Sequence, residues 1–336
     1  MTRAQVLLTH GPSALANYYG ERALAELRAA ADVQLHDSEA PWSVDTLSTA
    51  AQQSDIIVSD RRTEASAALL QRLPRLVAFV RCAVDIRNVD ISAASALGIL
   101  VTQASAGFMT SVSEWVFGVM LDLSRGVSAS VLQYRSGATP SARMGRELRG
   151  STLGVIGYGQ IGRHVAVLGH AFGMHVLVTD PHVTVSDFAV SQRPLAQLLA
   201  ESDHVVCLAI ATPKTENLMN AAAFAAMKPS AFFINASRGN LVDEAALLQA
   251  LDDGRIAGAA LDVGRAPDQM PSPALARHPR VIATPHIGGL TLPAIEHQSM
   301  ETARQVADIV AGRMPRGAVN GAQAHRVRTR FGAPTP

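Results

Sequence analysis

The chain has 336 residues and a formal net charge of +1, with 48% hydrophobic and 17% charged residues. That length favours two domains over one core, and that composition excludes disorder. A near-neutral charge gives no electrostatic case for a nucleic-acid or membrane-surface partner, and no stretch approaches the ~20 uninterrupted apolar residues of a transmembrane helix.

From the N-terminus, strand and helix signals alternate. Gln5 to Thr9, Val33 to His36, Asp55 to Val58 and Leu76 to Val80 read as strands, with Glu21 to Ala31, Val44 to Gln52 and Glu64 to Arg72 as helices between them. The alternation implies a parallel sheet with helices on its faces, an α/β unit without a phosphate-binding glycine turn. Its first apolar run, Val6 to Leu8, is too short for a secretory signal, so a cytoplasmic protein is expected. Val89 to Leu97 follows as helix and Ile99 to Val101 as a short strand. Met109 to Val127 is a long helix with Trp115, Val116, Val119, Met120 and Leu123 spread over more than one face. Such a helix must be buried between layers, domains or subunits. Residues 134 to 150, rich in Gly, Ser and Arg, read as a surface arm or loop.

Leu153 to Ile156 is an apolar strand that runs into Gly157-Tyr-Gly159-Gln160-Ile161-Gly162, and a helix follows with Ile161, Val165 and Leu168 on one face. Strand, glycine turn and helix start form the dinucleotide-binding fingerprint. Gly157 permits the tight turn, Gly159 lets the backbone approach a pyrophosphate, and Gly162 lets helix and strand pack closely. The helix N-terminus offers N–H groups and a positive dipole end to the phosphates. A glycine turn alone occurs in any α/β protein. Here a second strand, His175 to Thr179, ends at Asp180, eighteen residues past Gly162 and close to the ~20 expected of a ribose-binding carboxylate. No Arg stands in the next several positions, so a 2′-phosphate would meet repulsion without a partner, and NAD is expected over NADP.

The alternation continues with strands at 204–210, 231–235 and 257–261 and helices at 194–201, 220–227 and 243–253. Cys207 lies in an apolar run and reads as a buried thiol; neither it nor Cys82 has metal-ligand spacing, and no metal is expected. Val281 to Ala283 leads into the loop Thr284-Pro-His286-Ile-Gly288-Gly289, and Ala294 to Ala311 is a last amphipathic helix. The tail from Arg313 is basic, rich in Gly and Ala, and expected to be loosely held.

These segments together resemble the D-isomer-specific 2-hydroxyacid dehydrogenases, the family of phosphoglycerate, glycerate and D-lactate dehydrogenases. The resemblance is carried by Asn88 to Ala94, Gly98 to Val101, Ser113-Glu114, the Gly157 to Gly162 turn, Asp180-Pro181, Thr212-Pro213, Asn235 to Gly239, Leu241 to Glu244, Ala260 to Val263 and Thr284 to Gly289. The match spans roughly residues 75 to 312 in the family's order and approximate spacing. The resemblance implies an α/β protein of two doubly wound parallel-sheet domains. A Rossmann NAD domain, residues 105–290, is inserted into a discontinuous flavodoxin-like substrate domain, residues 1–104 and 291–336, with the active site in the cleft. It also implies a homodimer with the Met109 helix near the interface.

Hydride transfer between a nicotinamide and a 2-keto acid needs a held carboxylate, a polarised carbonyl and a proton for the nascent alkoxide. Arg238 follows a strand and so lies at a carboxyl end, where α/β sheets put ligands, and a guanidinium can hold carboxylate and carbonyl together. By resemblance Arg238 is the substrate arginine and His286, of a residue type that titrates near neutral pH, the general acid/base. Asp262 resembles the ligand of the nicotinamide carboxamide. The resemblance also sets Gln160, Ile161, Thr212, Ala236 and Gly288, with Gly157, Gly159, Gly162, Asp180, Arg238 and His286, around the cofactor. Arg81, Cys82 and Ala83 are set with Arg238 and His286 around the substrate.

Two segments depart from the family pattern. The family's Glu, which pairs with the histidine, stands just before a Pro; here the run is Asp262-Val-Gly-Arg-Ala266-Pro267-Asp268, so Ala266 takes its place and Asp268 is the nearby carboxylate that could substitute. The family's substrate loop, Arg/Lys-x-Gly-x-Gly-x-Asp-Asn, reads Arg81-Cys82-Ala83-Val-Asp85-Ile-Arg87-Asn88, with both glycines gone. Asp85 and Arg87 could pair or face substrate. The expected activity is NAD-dependent oxidoreduction of a D-2-hydroxy acid or its 2-keto partner. One alternative is a formate dehydrogenase-like hydride donor, for which Gln269 stands near the required Gln but out of register. The other is an NAD-binding sensor or co-repressor of the same fold, favoured by the lost Glu and opposed by the retained Arg238 and His286.

Overall fold

The computed structural model describes residues 3–186 and 189–332, with the side chain of Asp268 outside the described set. The chain divides into two units, one made of Met1–Gly107 with Thr291–Pro336 and the other of Phe108–Leu290.

Among the described residues, the first unit holds one parallel sheet in the order β2-β1-β3-β4-β5, formed by β1 (Gln5–Leu8), β2 (Asp32–Leu35), β3 (Ile56–Ser59), β4 (Ala78–Arg81) and β5 (Leu100–Gln103). Every residue of β3 and β4 is buried. Helices cover both faces, which is why these strands read as unbroken apolar runs and not as alternating ones. Leu27, Val306 and Ile309 pack on one face and Leu47, Leu69 and Leu70 on the other. Fully burying such a side chain contributes about 1.5–3 kcal/mol. The helix Pro12–Tyr18, not expected from the sequence, has Pro at its first position, where the missing N–H removes no helical bond.

The tail corrects an expectation. Residues 313–332 are docked on the first unit. The Asn320 side chain, 5% exposed, accepts from Val101 N at 2.8 Å and donates to Ile99 O at 2.9 Å and Ser95 Oγ at 3.0 Å. The helix His325–Phe331 then brings Arg330 to within 3.0 Å of the fully buried Asp55 carboxylate.

In the second unit the parallel sheet runs β12-β11-β10-β9-β6-β7-β8, with β6 (Thr152–Ile156), β7 (His175–Thr179), β8 (Val190–Gln192), β9 (His204–Cys207), β10 (Phe232–Asn235), β11 (Gly258–Leu261) and β12 (Val281–Ala283). The edge strand β8 escapes sequence detection because only Val190 is buried. The helix Met109–Arg125 buries Val116, Phe117, Val119 and Met120 against Val155, Val165 and Ala260, so much of its apolar surface is consumed inside this unit. It stops at Gly126, whose φ of 67° ends the helix in left-handed conformation. A second helix, Val127–Arg135, leaves at 68° to the first and buries none of its residues. No single helix among the described residues is long and apolar enough to cross a membrane.

Candidate functional site

Where the strand order of a parallel sheet reverses, the loops at the carboxyl ends on either side diverge and leave a crevice for ligands. In the second unit the chain runs from β6 outward through β7 and β8, then returns to β9 on the other side of β6. The glycine turn follows β6 and so stands at that reversal. Gly157 has φ 97°, and a Cβ there would lie 2.7 Å from Ala209 N and 2.8 Å from Leu208 C, in the segment after β9. A Cβ on Gly162 would lie 2.1 Å from Gly157 O. Only glycine lets the helix Gln160–Ala171 begin so close to the strand that feeds it. At Gly159, by contrast, nothing stands within 4 Å of the Cβ position, and no side chain caps the helix. The turn therefore presents open backbone and a helix N-terminus at the place where a pyrophosphate needs them. Asp180, directly after β7, accepts from Tyr158 N and His182 N, both at 2.8 Å. Those bonds fix the carboxylate beside the turn and leave each oxygen further acceptor capacity for ribose hydroxyls. Glycines, helix end and acid thus fit a dinucleotide.

The histidine loop is built around Asp262. This residue follows β11 and is 4% exposed. One carboxylate oxygen accepts from Thr284 Oγ1 at 2.6 Å and Ile287 N at 2.8 Å, and the other from Gly288 N at 2.7 Å. A Cβ on Gly288 would lie 2.8 Å from that second oxygen, so the close approach requires glycine. His286 sits between these anchors with φ 57°. Among the described residues the non-glycine positions with positive φ are Asn217, Gln269 and His286, each in a loop that follows a strand of the second unit at its carboxyl end. Such backbone costs about 1–3 kcal/mol per residue and persists where neighbours over-determine it.

Arg238 follows β10 in a turn braced by its own residues. Asn235 donates to Arg238 O at 3.0 Å and accepts from Ser237 N at 3.1 Å, and Ser237 Oγ donates to Ala209 O at 2.6 Å. The half-buried guanidinium donates to Ser237 O at 2.7 Å. Ala236, half-buried, donates to Cys207 O at 3.4 Å, and Thr212 lies exposed on the loop after β9. Cys207 is buried as expected, and burial pushes its thiol up to about 12. Asp268 lies in the short turn Pro267–Gln269, and its side chain falls outside the described residues. Sequence reasoning missed Ile210. The strand expected over 204–210 stops at Cys207, which leaves Ile210 in the loop beside the glycine turn with 80% of its surface exposed.

In the first unit the expected substrate loop follows β4, and Arg81 at its start points into the protein. Its guanidinium is 2% exposed and donates to the main-chain carbonyls of Asp60, Arg61, Thr63 and Asp85, tying the loop after β3 to the loop after β4. The buried cation thus braces the two loops through their main-chain carbonyls. Cys82 is buried and its thiol is raised to about 12 by that burial, while Ala83 is half-buried. Asp85 and Arg87 pair with each other, Nε to Oδ1 at 2.9 Å and Nη2 to Oδ2 at 2.6 Å.

Comparison with known proteins agrees with this geometry. The sequence model of the D-isomer specific 2-hydroxyacid dehydrogenase, NAD binding domain, matches residues 117–288. D-3-phosphoglycerate dehydrogenase of Rattus norvegicus is 34% identical over 274 residues, covering 80% of this chain and 51% of that enzyme. The chain thus spans about half the length of the curated relatives it matches. A solved protein of Thermus thermophilus superposes with a TM-score of 0.84 at 28% identity, over 94% of this chain and 99% of that one. The D-lactate dehydrogenase of Escherichia coli, 24% identical, shares the fold with a TM-score of 0.82 over 94% of this chain and 99% of its own. With its glycine turn at the sheet reversal and its family-matched nucleotide unit, the chain belongs to the D-isomer specific 2-hydroxyacid dehydrogenases, and its cofactor is NAD.

Proposed function

We propose that the protein is an NAD-dependent oxidoreductase that interconverts a D-2-hydroxy acid and its 2-keto acid. The observation that carries this reading is His286, held in left-handed backbone by a loop folded around Asp262, in a sheet whose carboxyl-end loops also bear Arg238 and the glycine turn. The first unit, residues 1–104 and 291–336, is the substrate domain and residues 105–290 the NAD domain. The N–H groups of the turn and of Gln160 and Ile161 hold the pyrophosphate, Asp180 holds the ribose, and Thr212, Ala236, Asp262 and Gly288 line the rest of the cofactor's path. Ile210, apolar and exposed, covers a ring face. When bound, the nicotinamide supplies or accepts the hydride. Arg238 offers paired donors to the substrate's carboxylate and carbonyl oxygen, and polarises the latter. His286 donates a proton to the alkoxide oxygen in reduction and removes one from the hydroxyl in oxidation. Asp268, whose side chain lies outside the described residues, is the candidate for the role of the family's Glu. The exposed Val127, Val131, Leu132 and Tyr134 on the helix Val127–Arg135 suit burial against a second copy, as a homodimer. Two free thiols suit the reducing cytoplasm.

A panel of 2-keto acids with NADH, followed by loss of the reduced cofactor's absorbance, tests the reading. 3-Phosphoglycerate with NAD tests the direction in which the relatives are named. Turnover is expected with at least one acid, yielding the D product, and Arg238→Lys should lower it steeply while NADH still binds. Absence of turnover across the panel in both directions, with NADH bound, overturns the proposal.

A further inference from the structure

Arg265 stands in the segment where the family's Glu is missing, and it joins three loops of the second unit. Its backbone N donates to Glu244 Oε1 at 2.9 Å. Its Nε donates to Val242 O at 3.1 Å, and its Nη2 donates to Glu216 Oε1 at 2.8 Å, Asn217 Oδ1 at 2.6 Å and Asn240 O at 3.1 Å. The loop after β9, the turn after β10 and the loop after β11 thus meet on one guanidinium.

Between these anchors two glycines touch. A Cβ on Gly239, the residue after Arg238, would lie 2.2 Å from Gly264 C and O, and Gly264 immediately precedes Arg265. Backbone resting on backbone has no interdigitating side chain to lock its position. The bonds of Arg265 supply that lock. They also brace strained backbone at Asn217, whose φ is 52° and whose side chain accepts from Arg265. Gln269, with φ 59°, accepts at its carbonyl from Gly264 N at 2.8 Å. Asn217 N in turn donates to Asn240 O at 2.9 Å.

We propose that Arg265 is a positioning residue for Arg238: through the Gly264–Gly239 contact it fixes the turn that aims the substrate arginine. This rests on the reading of Arg238 as the group that holds the keto acid. A guanidinium that must meet a carboxylate and a carbonyl at once tolerates little displacement, and a misplacement of about 1 Å can cost about a hundredfold in rate. The lost family Glu and the acquired Arg265 then belong to one reshaped loop, in which the arginine stabilises an arrangement without a side chain at position 264.

The test is a double-mutant cycle on the full chain with the best keto acid of the panel. Arg265→Met should lower kcat/KM about ten- to a hundredfold with the NADH Kd within about twofold of wild type. In an Arg238→Lys background the same substitution should lower kcat/KM by less than about twofold, because the group to be aimed is gone. Arg265→Lys, with charge but no fork, should fall between wild type and Arg265→Met. Should Arg265→Met fail to fold, Glu216→Ala removes one exposed arm of the clamp and should give a several-fold loss with unchanged NADH affinity. Wild-type kcat/KM in the folded variant, or an equal loss in both backgrounds, overturns the proposal. Near-normal turnover of Arg238→Lys by itself overturns the reading of Arg238, a different result from either.

Discussion

Asp262→Asn probes the loop that carries His286 with the smallest change of shape. The carboxylate is 4% exposed and accepts three hydrogen bonds from residues 284–288, between 2.6 and 2.8 Å. An amide keeps one acceptor, which serves Thr284 and Ile287, and turns an NH2 group toward Gly288 N. One charge-assisted bond is then lost, about 1.5–3 kcal/mol, and two donors confront each other at a further cost of about 1–3 kcal/mol. The closed loop is therefore destabilised by about 2.5–6 kcal/mol, which exceeds what holds a typical exposed loop in one conformation. The loop should open locally, bring Gly288 N to water, and release His286 from its φ of 57°. Global unfolding should shift by less than that sum, because the sheet beneath does not depend on the loop. Two measurements decide it. Amide exchange at Ile287 and Gly288 should accelerate at least tenfold, and kcat should fall by about a hundredfold. Unchanged protection at those amides together with kcat within about twofold of wild type would refute the account of Asp262 as the loop's anchor.

Asp180→Ala should shrink the preference for NADH over NADPH by about 1–3 kcal/mol for each ribose hydrogen bond lost, read from the ratio of kcat/KM values; an unchanged ratio assigns the ribose to another residue. Asp268→Asn tests the Glu role given to Asp268: in that role its loss should move the alkaline limb of reductive activity to lower pH, and superimposable pH profiles exclude it. His204 is 1% exposed and burial lowers its pKa from 6.5 to about 4. The unfolded chain therefore binds a proton that the folded one does not, so stability is full above 6.5 and declines as pH falls toward 4, by about 3 kcal/mol at most. His204→Phe, stacked on Phe232 as His204 is, should flatten that acid limb in urea titrations at pH 7 and pH 4.5; an unchanged pH dependence refutes it.

The nucleotide site was legible because its determinants are local. Gly157 and Gly162 are required by the turn itself, Gly159 keeps its backbone open, and the apolar strands of both sheets are buried on two faces, so a run of Val, Ile and Leu is sufficient to mark them. Asp180 and Arg238 follow such strands, and their place at a carboxyl end comes from the chain direction alone. Where local chemistry is ambiguous, the sequence was silent or misleading. The short β8 has one buried residue, and the basic tail shows no apolar stripe, yet Asn320 docks it by three hydrogen bonds to groups more than two hundred residues away. The four main-chain carbonyls that hold Arg81 are likewise invisible in the sequence. The partners of Asp262 and of Arg265 lie on other loops, up to 49 residues distant in the chain. Composition and spacing thus determined the two sheets, the glycine turn and the residue types at their carboxyl ends. Which charges serve ligand and which serve framework depends on the desolvated groups they meet, and only the folded chain brings those groups together.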